Sequence, residues 1–118
     1  MKENLIVSKT YSFAVSVVKF CFEMKDNKHE YVISHQLLKS GTSVGANVEE
    51  AQGAISKAEF IAKVQISLKE AKETKYWLRL IKDAEVYKSD QLEQLLKDCS
   101  EIIIIITSIL KSSKENKK

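Results

Sequence analysis

Leu92-Glu-Gln-Leu-Leu-Lys-Asp-Cys-Ser-Glu-Ile-Ile-Ile-Ile-Ile-Thr-Ser-Ile-Leu110 is the stretch on which the fold turns. Isoleucine favours strands, so five in a row invite a buried strand. An isolated strand in an otherwise helical chain, however, has nothing to pair with. Leu92, Leu95, Leu96, Cys99, Ile102, Ile103, Ile106, Ile109 and Leu110 follow the three-and-four spacing of a helix. Ser89 and Asp90, the latter three before Glu93, supply an N-terminal cap, which predicts a helix over about 90–113. At ~100° per residue the five isoleucines point all round that helix. One bundle interior cannot bury them all, so Ile102, Ile103, Ile104, Ile105 and Ile106 are the expected contact with another subunit. Left in water they would aggregate.

The third helix (about 57–84) is the longest and most regular. Ser56-x-x-Glu59 is a capping box after Gly53, and Phe60, Ile61, Val64, Leu68, Ala71, Leu78 and Ile81 form the inner stripe. Glu59/Lys63, Glu70/Thr74 and Lys69/Glu73 lie four apart on polar faces. The second helix (about 30–53) carries a stripe of Ile33, Leu37, Ser40, Val44, Val48, Ala51 and Ile55, with Asn27 and Glu30 as its capping box. Gly41-Thr-Ser-Val-Gly45-Ala-Asn47 interrupts it with two glycines, each costing ~1 kcal/mol of helix propensity relative to alanine. A strand or loop is the competing reading. Helix is preferred because the stripe keeps phase across both glycines, and Gly41 and Gly45 let a neighbouring backbone come close. The first helix (about 4–25) places Phe13, Ala14, Val17, Val18, Cys21 and Met24 on one face. Tyr11, Val15, Phe20 and Phe22 fall off that stripe, so this helix is apolar over more than one face and must be covered on more than one side.

The chain of 118 residues contains no proline and only three glycines, the profile of long helices enclosing one core. The expected architecture is all-α, an antiparallel up-and-down four-helix bundle in a single domain, 1–118. Cys21 and Cys99 lie in apolar helical stretches without CxxC spacing and read as buried reduced thiols of a cytoplasmic protein. Residues 1–7 lack the features of a secretory signal, and no run of ~18 apolar residues is expected to span a membrane. The net charge of +3 sits in the tail. Residues 111–118 hold Lys111, Lys114, Lys117 and Lys118 against Glu115, and the other 110 residues balance.

Signatures of chemistry are missing. The chain has no Glu-x-x-His for a di-iron centre, and its two histidines, His29 and His35, are too few for a common zinc site. It also lacks a Gly-x-Ser-x-Gly elbow and a phosphate-binding loop. No enzyme activity, cofactor, metal or small-molecule substrate is expected. Asn47 and Glu50 read as structural, the first fixing register by a buried hydrogen bond and the second pairing at an edge. Tyr76, Trp77 and Arg79 admit two readings, base stacking with phosphate binding or closure of the core and subunit contact. The tail lysines likewise fit either phosphate contacts or a solvated helix end favoured by the helix dipole.

Ser34-His-Gln-Leu-Leu, Ser40-Gly-Thr-Ser-Val-Gly-Ala-Asn-Val-Glu-Glu-Ala-Gln52, Phe60-Ile-Ala-Lys and Ser67-Leu-Lys-Glu-Ala-Lys-Glu-Thr-Lys-Tyr-Trp-Leu-Arg-Leu80 together resemble the bacterial four helix bundle protein family. This family is also known as the rRNA intervening-sequence protein family. The likeness covers nearly the whole chain and is most specific in residues 42–52 and 70–80. It implies an up-and-down bundle, assembly as a ring-shaped homopentamer and no catalytic residues. A related branch comprises the accessory proteins of diversity-generating retroelements, basic pentamers that engage reverse transcriptase and nucleic acid; the neutral body here departs from that branch. The expectation is a non-enzymatic homo-oligomeric scaffold that binds RNA or a nucleoprotein partner through lysines gathered by symmetry, with Lys111, Lys114, Lys117, Lys118 and Arg79 as candidates. The competing reading is a protein–protein adaptor that binds no nucleic acid.

Overall fold

Ser56 sets the start of the third helix. Its backbone is extended (φ −146°, ψ 160°) and its hydroxyl accepts the Glu59 N–H, while the Glu59 carboxylate accepts the Ile55 N–H at 3.4 Å. The computed structural model describes residues 2–115, and within them four helices follow one another: α1, Lys2–Lys28; α2, Val32–Gln52; α3, Lys57–Asp83; α4, Asp90–Glu115. The sequence boundaries hold to within three residues. Ser89, rather than Asp90, caps α4, accepting the Gln91 N–H on its hydroxyl and the Leu92 N–H on its carbonyl.

Two expectations at the α1–α2 and α2–α3 turns fail. Asn27 does not cap α2; it lies within α1 and donates to the Tyr87 hydroxyl. Glu30 caps α2 instead, its carboxylate accepting the N–H groups of Val32, Ile33 and Ser34. Ile55 does not join the inner stripe and is 94% exposed. α2 ends at Gln52, so Ile55 stands outside the helix whose phase the stripe followed.

Helix ends here do without glycine in the left-handed region. His29 (φ 52°) terminates α1, its N–H reaching the Lys25 carbonyl. After α3, Glu85 (φ 54°) donates to Lys82 O and Val86 donates to Ile81 O, a Schellman ending. Val86 then tucks against the core.

The helices run up, down, up, down around a square. α1 packs on α2 and α4, α3 packs on α2 and α4, and α1 lies diagonally across from α3. The Cα envelope measures 52 × 20 × 19 Å, the cross-section of four helices at spacings of about 10 Å. Among the described residues no strand occurs, so the isoleucine run is helical. Phe13, Val17, Phe20 and Met24 of α1 meet Leu37 and Val44 of α2, Leu78 and Ile81 of α3, and Leu95, Ile102 and Ile106 of α4 in one core. Phe20, placed off the stripe from sequence, is wholly buried, because α1 closes against two neighbours and its buried arc is wider than one stripe.

α2 carries the tightest contacts. A Cβ on Gly45 would stand 3.1 Å from the Thr10 carbonyl oxygen, and one on Gly41 would stand 2.8 Å from Cγ1 of the buried Val17. The two glycines therefore seat α1 directly on α2. On the adjacent seam toward α3, the buried Ser67 hydroxyl donates to the Val44 carbonyl at 2.7 Å and Thr74 meets Ser40 at 3.0 Å. Both cysteines are free and buried. The Cys99 thiol donates to the Ala71 carbonyl, and burial pushes the Cys21 and Cys99 thiols up to about 12, so neither is a thiolate near neutrality.

The Gly41 contact predicts a coupled pair. Gly41→Ala gains about 1 kcal/mol of helix propensity but forces Val17 aside at a cost of about 1–3 kcal/mol, for a net loss of up to about 2 kcal/mol. Val17→Ala clears the clash, so the double variant should be at least about 1 kcal/mol more stable than additivity allows; urea unfolding of the four proteins measures this. Glu85→Gly should stabilise the fold by about 1 kcal/mol, read as a higher urea midpoint at an unchanged slope, because glycine adopts the left-handed ending freely.

Candidate functional site

The isoleucine run divides by depth. Ile102 and Ile106 are fully buried within this chain, Ile103 and Ile105 pack part-buried against the core, and Ile104 alone is 68% exposed. The expectation that all five make a subunit contact is thus corrected. One bundle covers more of the run than the wheel suggested, because α4 presents a wide face to α1 and α3 together.

The larger apolar surface is on α1. Opposite its buried arc it exposes Leu5, Tyr11, Val15 and Phe22, with Ser8 and Ser12 between them and Lys19 as the cation of that stretch. Three of these, Tyr11, Val15 and Phe22, are off-stripe in the sequence, whereas Leu5 precedes the stripe, which begins at Phe13. The segment Leu5–Lys28 is also long and apolar enough, by length and composition, to cross a membrane, contrary to the expectation that no such run exists. In the bundle about a third of its best window is buried against the other helices.

Grooves flank this ridge. Toward α4 a depression of 340 Å³ is lined by Leu5, Lys9, Glu101, Ile104 and Ile105. Toward α2 another, of 230 Å³, is floored by the small residues Ala14, Gly45 and Ala46 beside Tyr11, Thr42 and Glu49. The ions of the first groove answer each other. Lys9 donates to Glu101 at 2.9 Å, and that hydrogen bond and charge hold the Glu101 carboxyl below the usual range.

Polar residues singled out from sequence scatter. Asn47 donates to the Ser43 carbonyl one turn back, so it bonds within α2 and fixes no register. Glu50 accepts from Lys63 at 2.7 Å, tying α2 to α3; Lys63 thereby leaves Glu59, its expected partner. Trp77 is half-buried and its indole donates to Glu73 at 3.1 Å, while Tyr76 stacks edge-on against it and stays exposed. Trp77 is therefore a core-closing residue, and Glu73 is drawn away from Lys69. Arg79 is exposed on α3. Lys111 and Lys114 are exposed at the end of α4; Lys117 and Lys118 lie outside the described residues. His29 and His35 are exposed, and among the described residues no group of three or more His, Cys, Asp or Glu side chains is placed to hold a metal. The structure thus brings together an apolar ridge with its grooves, and sets Arg79 and the tail lysines on other faces.

The model of the 23S rRNA-intervening sequence protein family matches residues 2–108. Among solved structures, a protein of unknown function from the S23 ribosomal protein family of Bacteroides thetaiotaomicron superposes with a TM-score of 0.90. It is 43% identical, over 94% of this chain and 99% of that one. No curated protein matches. The chain belongs to the 23S rRNA-intervening sequence protein family.

Proposed function

We propose that the protein is a non-enzymatic homo-oligomeric scaffold, built by docking the α1 ridge of one copy against the grooves of the next, and that the assembly engages RNA or a nucleoprotein. The ridge between two apolar grooves carries this reading. Helices pack by seating ridges in grooves, and this surface offers both on one copy, as a repeating contact between identical chains requires. Covering the groove toward α4 strands no lone ion, because Lys9 and Glu101 already pair and a desolvated ion pair is tolerated far better than a lone ion. The ring of five implied by the family resemblance is the closed form expected for such a heterologous contact. Ile104 and part of Ile105 extend the contact surface onto α4. The unpaired buried cysteines fit a reducing, cytoplasmic setting.

The apolar groove beside Ile104 also favours the adaptor reading, in which a partner's helix fills it. Light scattering separates the two. The scaffold predicts a mass several times 13.4 kDa, independent of salt. Tyr11→Glu with Val15→Glu should reduce it to the single-chain mass at unchanged helical content, since each buries a lone carboxylate only in the assembly. A wild-type protein of 13.4 kDa at micromolar concentration would overturn the scaffold and leave the adaptor.

A further inference from the structure

The neutral body hides a segregation of charge. α3 carries seven cations against four acids, and α4, up to Leu110 where the body ends, four acids against one cation. Two of the α3 cations reach sideways, Lys63 to Glu50 of α2 and Lys82 to Glu93 of α4. Lys69, Lys72 and Arg79 make no ion pair. Glu73, one turn from Lys69, is held by the Trp77 indole instead. With Tyr76 they recur at spacings of three, four and three residues, which places all four along one stripe of the helix. That stripe is exposed and lies opposite the buried Val64, Ser67, Ala71, Thr74 and Leu78. It begins at Gln65 and ends at Asp83.

We infer that this ridge of α3, Lys69–Lys72–Tyr76–Arg79, is a binding surface for single-stranded RNA. It rests on the proposed scaffold for its avidity and on its own chemistry for its ligand. Ten residues of helix span about 15 Å, the length of about four nucleotides stacked at 3.4 Å. Three unpaired cations on that length meet successive phosphates, and Tyr76, exposed and braced edge-on by Trp77, offers a ring on which a base stacks. A splayed base is available in a single strand and not in a duplex. The position also suits assembly. α3 is diagonal to α1, so a ring closed through α1 leaves every α3 ridge uncovered and repeats the weak site once per subunit.

Fluorescence anisotropy with a labelled, unstructured 20-nucleotide RNA, at a series of salt concentrations and beside light scattering, tests this. For the wild type, affinity should fall steeply with salt. K69Q/K72Q/R79Q should flatten the slope of log K against log salt by about 2, from ~0.7 for each of three phosphates. Tyr76→Ala should weaken binding about tenfold with the slope unchanged. All four side chains are solvent-facing, so circular dichroism should be identical, and the assembly mass should not change. Equal RNA affinity in the triple variant, loss confined to K111Q/K114Q, or preference for a duplex of equal length would each overturn the ridge. A monomer that still binds through these residues would sink the scaffold and keep the ridge; an intact oligomer indifferent to RNA would do the reverse.

Discussion

The bundle depends on how closely α2 approaches α1. At Gly45 the α2 backbone lies where even a methyl group would crowd the Thr10 carbonyl, and at Gly41 it lies against the side chain of Val17. Two glycines in a helix interior cost propensity, about 1 kcal/mol each relative to alanine, and the contact with α1 offsets that cost. Everything downstream follows the resulting register. With α1 seated on Gly41 and Gly45, the next residues round α2, Ser40 and Val44, face α3, where Thr74 and Ser67 meet them. α4 then closes the square through Cys99 against α3 and Lys9–Glu101 against α1.

Because α1 sits so deep, its composition matters twice. Its buried arc from Ile6 through Phe13, Val17 and Phe20 to Met24 supplies the core. The apolar residues left over, Leu5, Tyr11, Val15 and Phe22, stand on the outside. A helix apolar on both sides is ordinarily covered on both sides. The same property makes Leu5–Lys28 membrane-length in composition, so length and apolarity taken alone do not distinguish a spanning helix from a central helix in an assembly. In the bundle the outer apolar face and the unpaired basic stripe occupy helices on opposite corners, which lets one surface be covered without obstructing the other.

Side-chain competition decides which charges are free. Within α3 the i, i+4 pairs Glu59/Lys63 and Lys69/Glu73 are available on spacing alone, and neither forms. Lys63 finds Glu50 across the helix boundary, and Glu73 takes the Trp77 indole hydrogen bond. Exposed intrahelical pairs contribute only about 0.3–0.5 kcal/mol, so a modest cross-helix or aromatic partner displaces them. Lys69 is left without an ion pair, while Glu73 is turned toward Trp77.

The four helices, their order, the Ser56 cap and the small-residue seam of α2 were legible from the sequence because they are local. Hydrophobic period, capping chemistry and the missing Cβ of glycine act within a few residues along the chain. Family resemblance was legible for the same reason, in the contiguous blocks 42–52 and 70–80. The tertiary structure alone decided how the apolar surplus divides. Helical angle shows that Ile102 to Ile106 point all round α4, but the width of the arc that α1 and α3 cover fixes Ile104 as the exposed one and Phe20 as buried. It likewise decided that Asn47 bonds its own helix, that Glu30 replaces Asn27 as a cap, and that Lys69, Lys72 and Arg79 stand unpaired. Each of these depends on which neighbour is within about 3 Å, a distance between segments that no spacing along one chain records.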